Sequence, residues 1–71
     1  MSKLPVLSGR ELIKILEKRG WEFDHQTGSH ITLRYKYPPF TRVTIPNHKE
    51  LKKGTLLSIM NDIGLKRENF E

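Results

Sequence analysis

A histidine, His30, follows a Gly28-Ser29 pair and stands out of step with the apolar residues after it. Ile31, Leu33 and Tyr35 alternate along one side of an expected strand, with His30, Thr32 and Arg34 along the other. This phase predicts an imidazole on the wet face of a sheet, with Gly28 and Ser29 in the turn that fixes its approach. Imidazole titrates near neutrality, so one such side chain can take a proton from a ribose 2′-hydroxyl or give one to a leaving oxygen. RNA carries its own nucleophile, and a protein that aligns hydroxyl, phosphorus and leaving oxygen can cleave it without a metal. From spacing alone, an ordinary exposed histidine is the plainer reading.

The other chemistry-bearing residues divide by phase and spacing. His25 shares the phase of Trp21 and Phe23, which predicts a partly buried or edge residue with a structural role. His48 lies in a polar connection after Pro46 and reads as a phosphate contact or a solvated side chain. Arg34 and Arg42 fall on His30's expected face. Lys49, Lys52 and Lys53 cluster ahead of a helix whose first amides, near Gly54 and Thr55, suit a phosphate. The same lysines also read as a solvated cap. Tyr35, Tyr37 and Phe40 are candidate stacking surfaces or loop-packing residues. No metal site and no cofactor are expected: the histidines and acids lack the spacing of a zinc motif, and Asp24 is expected on the strand face opposite His25. Glu22 and Asp24 are expected to face Arg34 or Lys36 across the strands.

Thirteen Lys and Arg against eight Asp and Glu leave a net charge of +5 on 71 residues. That balance favours a polyanion as partner, nucleic acid first and an acidic protein second. Cysteine is absent, which excludes disulfides and thiolate chemistry. Leu4, Val6 and Leu7 are interrupted by Pro5 and followed by Ser8, Gly9 and Arg10, so neither a signal peptide nor a membrane span is expected, and a cytoplasmic protein is the default.

The elements that must position these groups follow from periodicity. Residues 8–19 read as a helix in which Ser8 and Glu11 form a capping box, Leu7 and Leu12 a staple, and Leu12, Ile13, Ile15 and Leu16 the buried stripe. Gly20 stops it. Residues 21–26, 29–35 and 41–45 alternate in phase as three antiparallel strands, and Lys36 to Phe40 forms a proline-stiffened loop. A second helix is expected over 53–63, with Leu56, Ile59, Met60 and Ile63 inward and Gly64 as a left-handed cap. Residues 66–71 are expected to fray. The result is a single α+β domain over 1–71, two-layered, in the order helix–three strands–helix, with both helices on one face.

The chain resembles the HicA family of mRNA interferase toxins. The resemblance rests on Ser8-x-x-Glu11-Leu12-Ile13-x-x-Leu16, Gly20-Trp21, Gly28-Ser29-His30, Thr44-Ile45-Pro46-x-His48 and Leu51-x-x-Gly54-Thr55-Leu56-x-x-Ile59 closing at Gly64-Leu65. It implies a fold like a double-stranded-RNA-binding domain, an endoribonuclease acting on mRNA with His30 as its catalytic histidine, and a HicB-like antitoxin that covers the active region. It also implies that Arg34, Arg42, Lys52 and Lys53 hold phosphates, and that His48 is either a second proton carrier or a loop organiser. The alternatives are a non-catalytic RNA-binding module of the same fold and a protein-interaction domain whose basic face meets an acidic partner.

Overall fold

The computed structural model describes residues 3–70. Ser8 opens the first helix with both halves of its capping box made. Its hydroxyl accepts from the Glu11 amide at 3.1 Å, and Glu11 Oε1 accepts from the Ser8 amide at 2.9 Å. Helix α1 (Gly9–Glu17) is shorter than the apolar pattern predicts, because Lys18 to Gly20 turn the chain away. Gly20 makes that exit at φ +99°, where a Cβ would also crowd the Tyr35 ring at 3.1 Å. Ser8→Ala is expected to cost about 1 kcal/mol in a urea melt.

The same cap carries a pH dependence. The Ser8 amide and then its hydroxyl hold the Glu11 carboxyl below its ordinary value of 4.5. That contribution is complete above the unfolded value and is lost as pH falls through the lower folded one. Melts at falling pH are expected to show a flatter acid limb in Glu11→Gln than in the native chain.

Strands β1 (Trp21–Thr27), β2 (His30–Tyr35) and β3 (Arg42–Pro46) form one antiparallel sheet in that order, with β2 central. Helix α2 (Lys53–Ile63) follows, closed by Gly64 at φ +71° with the Leu65 amide bonded to the Met60 carbonyl at 2.8 Å. Both helices lie on one face of the sheet: α2 over β3, and α1 over β1 and β3. Between the layers sit Leu12 and Leu16 of α1, Trp21, Ile31, Leu33, Val43 and Ile45 of the sheet, and Leu56, Ile59 and Met60 of α2. This helix–three strands–helix arrangement is that of a double-stranded-RNA-binding domain. Among the described residues, no helix covers the sheet's other face.

Three details depart from the periodic reading. A bulge in β1 between Phe23 and His25 shifts the register, so that Phe23 opposes Leu33 but His25 opposes Thr32. The extra residue reverses the phase and puts His25 on the open face, where it is exposed. Phe23 stays on the helix-side phase, yet on an edge strand it is 59% exposed. Thr32 is buried despite its outward phase, because the central strand is flanked on both sides and its hydroxyl bonds that of Thr44 at 3.2 Å.

Residues 67–70 do not fray. Arg67–Phe70 form a 3₁₀ turn, Phe70 packs half-buried against the core, and Arg19 donates to the Asn69 carbonyl at 3.3 Å. One apolar ring at the end of a polar segment is enough to dock it. The expected fraying of Glu71 lies outside the described residues, as do Met1 and Ser2.

Candidate active site

His30 is the first residue of the central strand. Its approach is set by a two-residue turn: Thr27 pairs with His30, and Gly28-Ser29 lies between them. Gly28 has φ +57° and Ser29 has no positive φ, the pattern of a type II′ hairpin with glycine first. A Cβ at Gly28 meets nothing within 4 Å, so the glycine serves the backbone conformation alone. On its other side His30 pairs with Pro46, and the Asn47 amide donates to the Ser29 carbonyl at 2.6 Å. The backbone that carries His30 is thus held from both neighbours, while Gly28, Ser29 and His30 are all exposed.

The chain after β3 locks this corner to the helices. The Gly9 amide donates to the His48 carbonyl at 2.9 Å, and the Leu51 amide to the Leu7 carbonyl at 2.7 Å. Gly9 is buried against Pro46-Asn47; a Cβ there would run into the Pro46 carbonyl oxygen, with the Pro46 carbonyl carbon at 3.1 Å and Asn47 Cα at 3.2 Å. The His48 backbone carbonyl accepts one of these bonds, and its side chain is exposed.

Arg34 and Arg42 share His30's face but pair with each other at the far end of the strands. Arg34 is four steps along the strand from His30, about 13 Å at about 3.3 Å per residue. That end is already internally bonded. Asp24, at the bulge, reaches over the central strand to accept from Arg42 Nε at 3.2 Å, and the same oxygen meets His25 Nδ1 at 2.8 Å. Of the expected cross-strand partners, Arg34 does oppose Glu22 in the register, whereas Asp24 takes neither Arg34 nor Lys36. The His25 hydrogen bond, with the Arg42 guanidinium behind it, holds the Asp24 carboxyl below its ordinary value. Arg34 instead lies over the Phe40 ring at 5.6 Å from its centroid, so Phe40 joins this end of the face. Tyr35 turns to the other side, against Trp21 at 5.2 Å.

Lys52 and Lys53 stand at the start of α2, exposed, where the helix has no side-chain cap and no acidic residue in its first turn. Lys53 lines a groove with Lys3, Glu50 and Arg67, apart from the sheet's open face. Among the described residues no group of three His, Asp or Glu side chains converges as a metal site would require.

His30 stands on the open sheet rather than in a cleft. A more enclosed concavity, of about 390 Å³, is lined instead by Leu16, Trp21, Tyr35, Pro38 and Leu65, among others. Small-molecule sites bury most of their ligand, whereas an uncovered sheet with spaced cations suits a polymer laid across it. No helix of the described residues is long and apolar enough to cross a membrane.

No curated protein and no solved structure matches the chain. The family model of the HicA toxin of bacterial toxin-antitoxin matches residues 9–65, from the start of α1 to the residue after the α2 cap. That span holds the first helix, the hairpin that presents His30 and the second helix with its glycine stop. The chain belongs to the HicA toxin family.

Proposed function

We infer that this chain, like HicA toxins generally, acts on mRNA and pairs with a HicB-like antitoxin. We propose that this chain is an endoribonuclease that cleaves message with His30 as its catalytic histidine. The observation that carries the reading is an exposed imidazole at the tip of a centrally held strand, reached through the Gly28-Ser29 turn. His30 takes the 2′-hydroxyl proton, the hydroxyl oxygen attacks the adjacent phosphorus, and the bond to the 5′-oxygen breaks. The products are a 2′,3′-cyclic phosphate and a 5′-hydroxyl. Arg34 and Arg42 hold phosphates at the far end of the face, with Lys52 and Lys53 adding positive charge beyond it. A HicB-like antitoxin inhibits by covering this open face.

Incubation of a message with the purified chain in EDTA is expected to yield fragments ending in the cyclic phosphate. Intact RNA that is nevertheless bound would favour a non-catalytic RNA-binding module. Asp24 also sets how much of the face's charge is free. Asp24→Ala removes the carboxylate that offsets Arg42 and is expected to tighten RNA binding at low salt, the gain fading as salt rises. Titrations at several salt concentrations read this directly.

A further inference from the structure

Strand cleavage by the 2′-hydroxyl needs two proton transfers, and His30 accounts for one. The 5′-oxygen leaves as a poorly stabilised alkoxide unless something protonates it as the bond breaks. The group that does so must share His30's face and lie within a phosphate's breadth of it.

The β1 bulge supplies such a group. Before the bulge, β1 residues alternate with Trp21 inward; after it, His25 opposes Thr32 on the open face, and Thr27 opposes His30. His25 is therefore the diagonal cross-strand neighbour of His30, at about 7–8 Å between backbones. That spacing admits a phosphate between two imidazoles, each within about 3 Å of an oxygen. His48, the other histidine near this corner, follows β3 on the loop and is not placed by a strand register.

His25 is also oriented. Its Nδ1 lies 2.8 Å from Asp24 Oδ2, and Asp24 is fixed in turn by Arg42 Nε at 3.2 Å. An ionised carboxylate only accepts, so the Nδ1 proton is the one donated to Asp24, and Nε2 is left for substrate. The Asp24 carboxyl, lowered by His25 and Arg42, stays ionised through the range in which imidazole titrates.

We propose that His25, oriented by Asp24, is the general acid of this site, paired across the open face with His30 as base. This inference rests on the proposed ribonuclease reading. Protonated His25 gives its Nε2 proton to the 5′-oxygen as the P–O5′ bond breaks, while His30 holds the proton taken from the 2′-hydroxyl. Solvent exchange restores both, and no oxidant, reductant or metal enters the balance. Asp24 is a positioning residue: it touches His25 and Arg42.

The test compares two substrates that share one mapped cut site, ordinary RNA and RNA with sulfur replacing the bridging 5′-oxygen. Thiolate is a stable leaving group and needs no acid. His25→Ala is expected to cleave ordinary RNA about 10²–10⁴-fold more slowly yet cut the sulfur substrate at close to the native rate. His30→Ala is expected to lose both. The pH–rate profile of the native chain is expected to be bell-shaped, and His25→Ala to lose its alkaline fall. The charged and titratable groups facing His25 on the open face are Glu22 and Asp24 from β1, His30 and Arg34 from β2 and Arg42 from β3. Asp24→Asn is expected to lower kcat per folded molecule, whereas a merely structural clasp would alter KM alone, through the release of Arg42, and leave kcat unchanged.

His25→Ala that cuts ordinary RNA at the native rate, or loses both substrates equally, overturns His25 as the acid. The first outcome leaves His30 standing if His30→Ala is inactive. Activity in both single variants overturns the underlying assignment of His30 as well.

Discussion

Replacement of His30 by alanine is expected to slow message cleavage by about 10²–10⁴-fold, the range one positioned proton-transfer group supplies. The fold is expected to survive, because the imidazole is exposed and the strand is held by its backbone pairing to Thr27 and Pro46. A substitution of that kind changes stability by no more than about 0.5 kcal/mol. Cleavage measured on matched amounts of folded protein therefore separates chemistry from stability. Undiminished activity in His30→Ala would remove the residue from the mechanism. In cells, induced expression of the native chain is expected to degrade RNA and slow growth, and His30→Ala to do neither.

Gly9→Ala is expected to be the most damaging small substitution outside the active face, at about 3 kcal/mol. The added methyl meets backbone rather than a flexible side chain: the Pro46 carbonyl group on one side and Asn47 Cα on the other. Neither yields without displacing the start of α1 or the end of β3. For a domain of this size the loss corresponds to a Tm about 12–24 °C lower, from about 4–8 °C per kcal/mol. Urea melts within about 0.5 kcal/mol of the native chain would contradict the packing described here. The same corner carries the Asn47–Ser29 bond beside His30. Gly9→Ala is therefore also expected to lower the activity of the molecules that remain folded.

The Gly9 contact illustrates why some of this was not legible beforehand. A glycine after Ser8 reads as an indifferent first residue of a helix; only the approach of a segment nearly forty residues away makes it indispensable. The covered face of β2 and β3 was legible, since Ile31, Leu33, Val43 and Ile45 alternate without interruption. The caps were legible because capping is local: Ser8 with Glu11, and Gly64 with Leu65, act within a turn of themselves. The docking of Phe70 was not, because nothing near it in sequence is apolar enough to signal a core.

By itself, the sequence determined the order of elements, the hairpin and the exposure of His30, because each depends on neighbours a few residues away. It also put Arg34 and Arg42 on His30's face, through the simple period of two in an unbroken strand. The tertiary structure alone decided that those arginines stand at the far end of the sheet, that Asp24 spans the central strand to Arg42, and that His25 faces outward. Each of these depends on register between strands. One bulged residue reverses the phase of everything beyond it, and no local pattern in β1 announces where that residue lies.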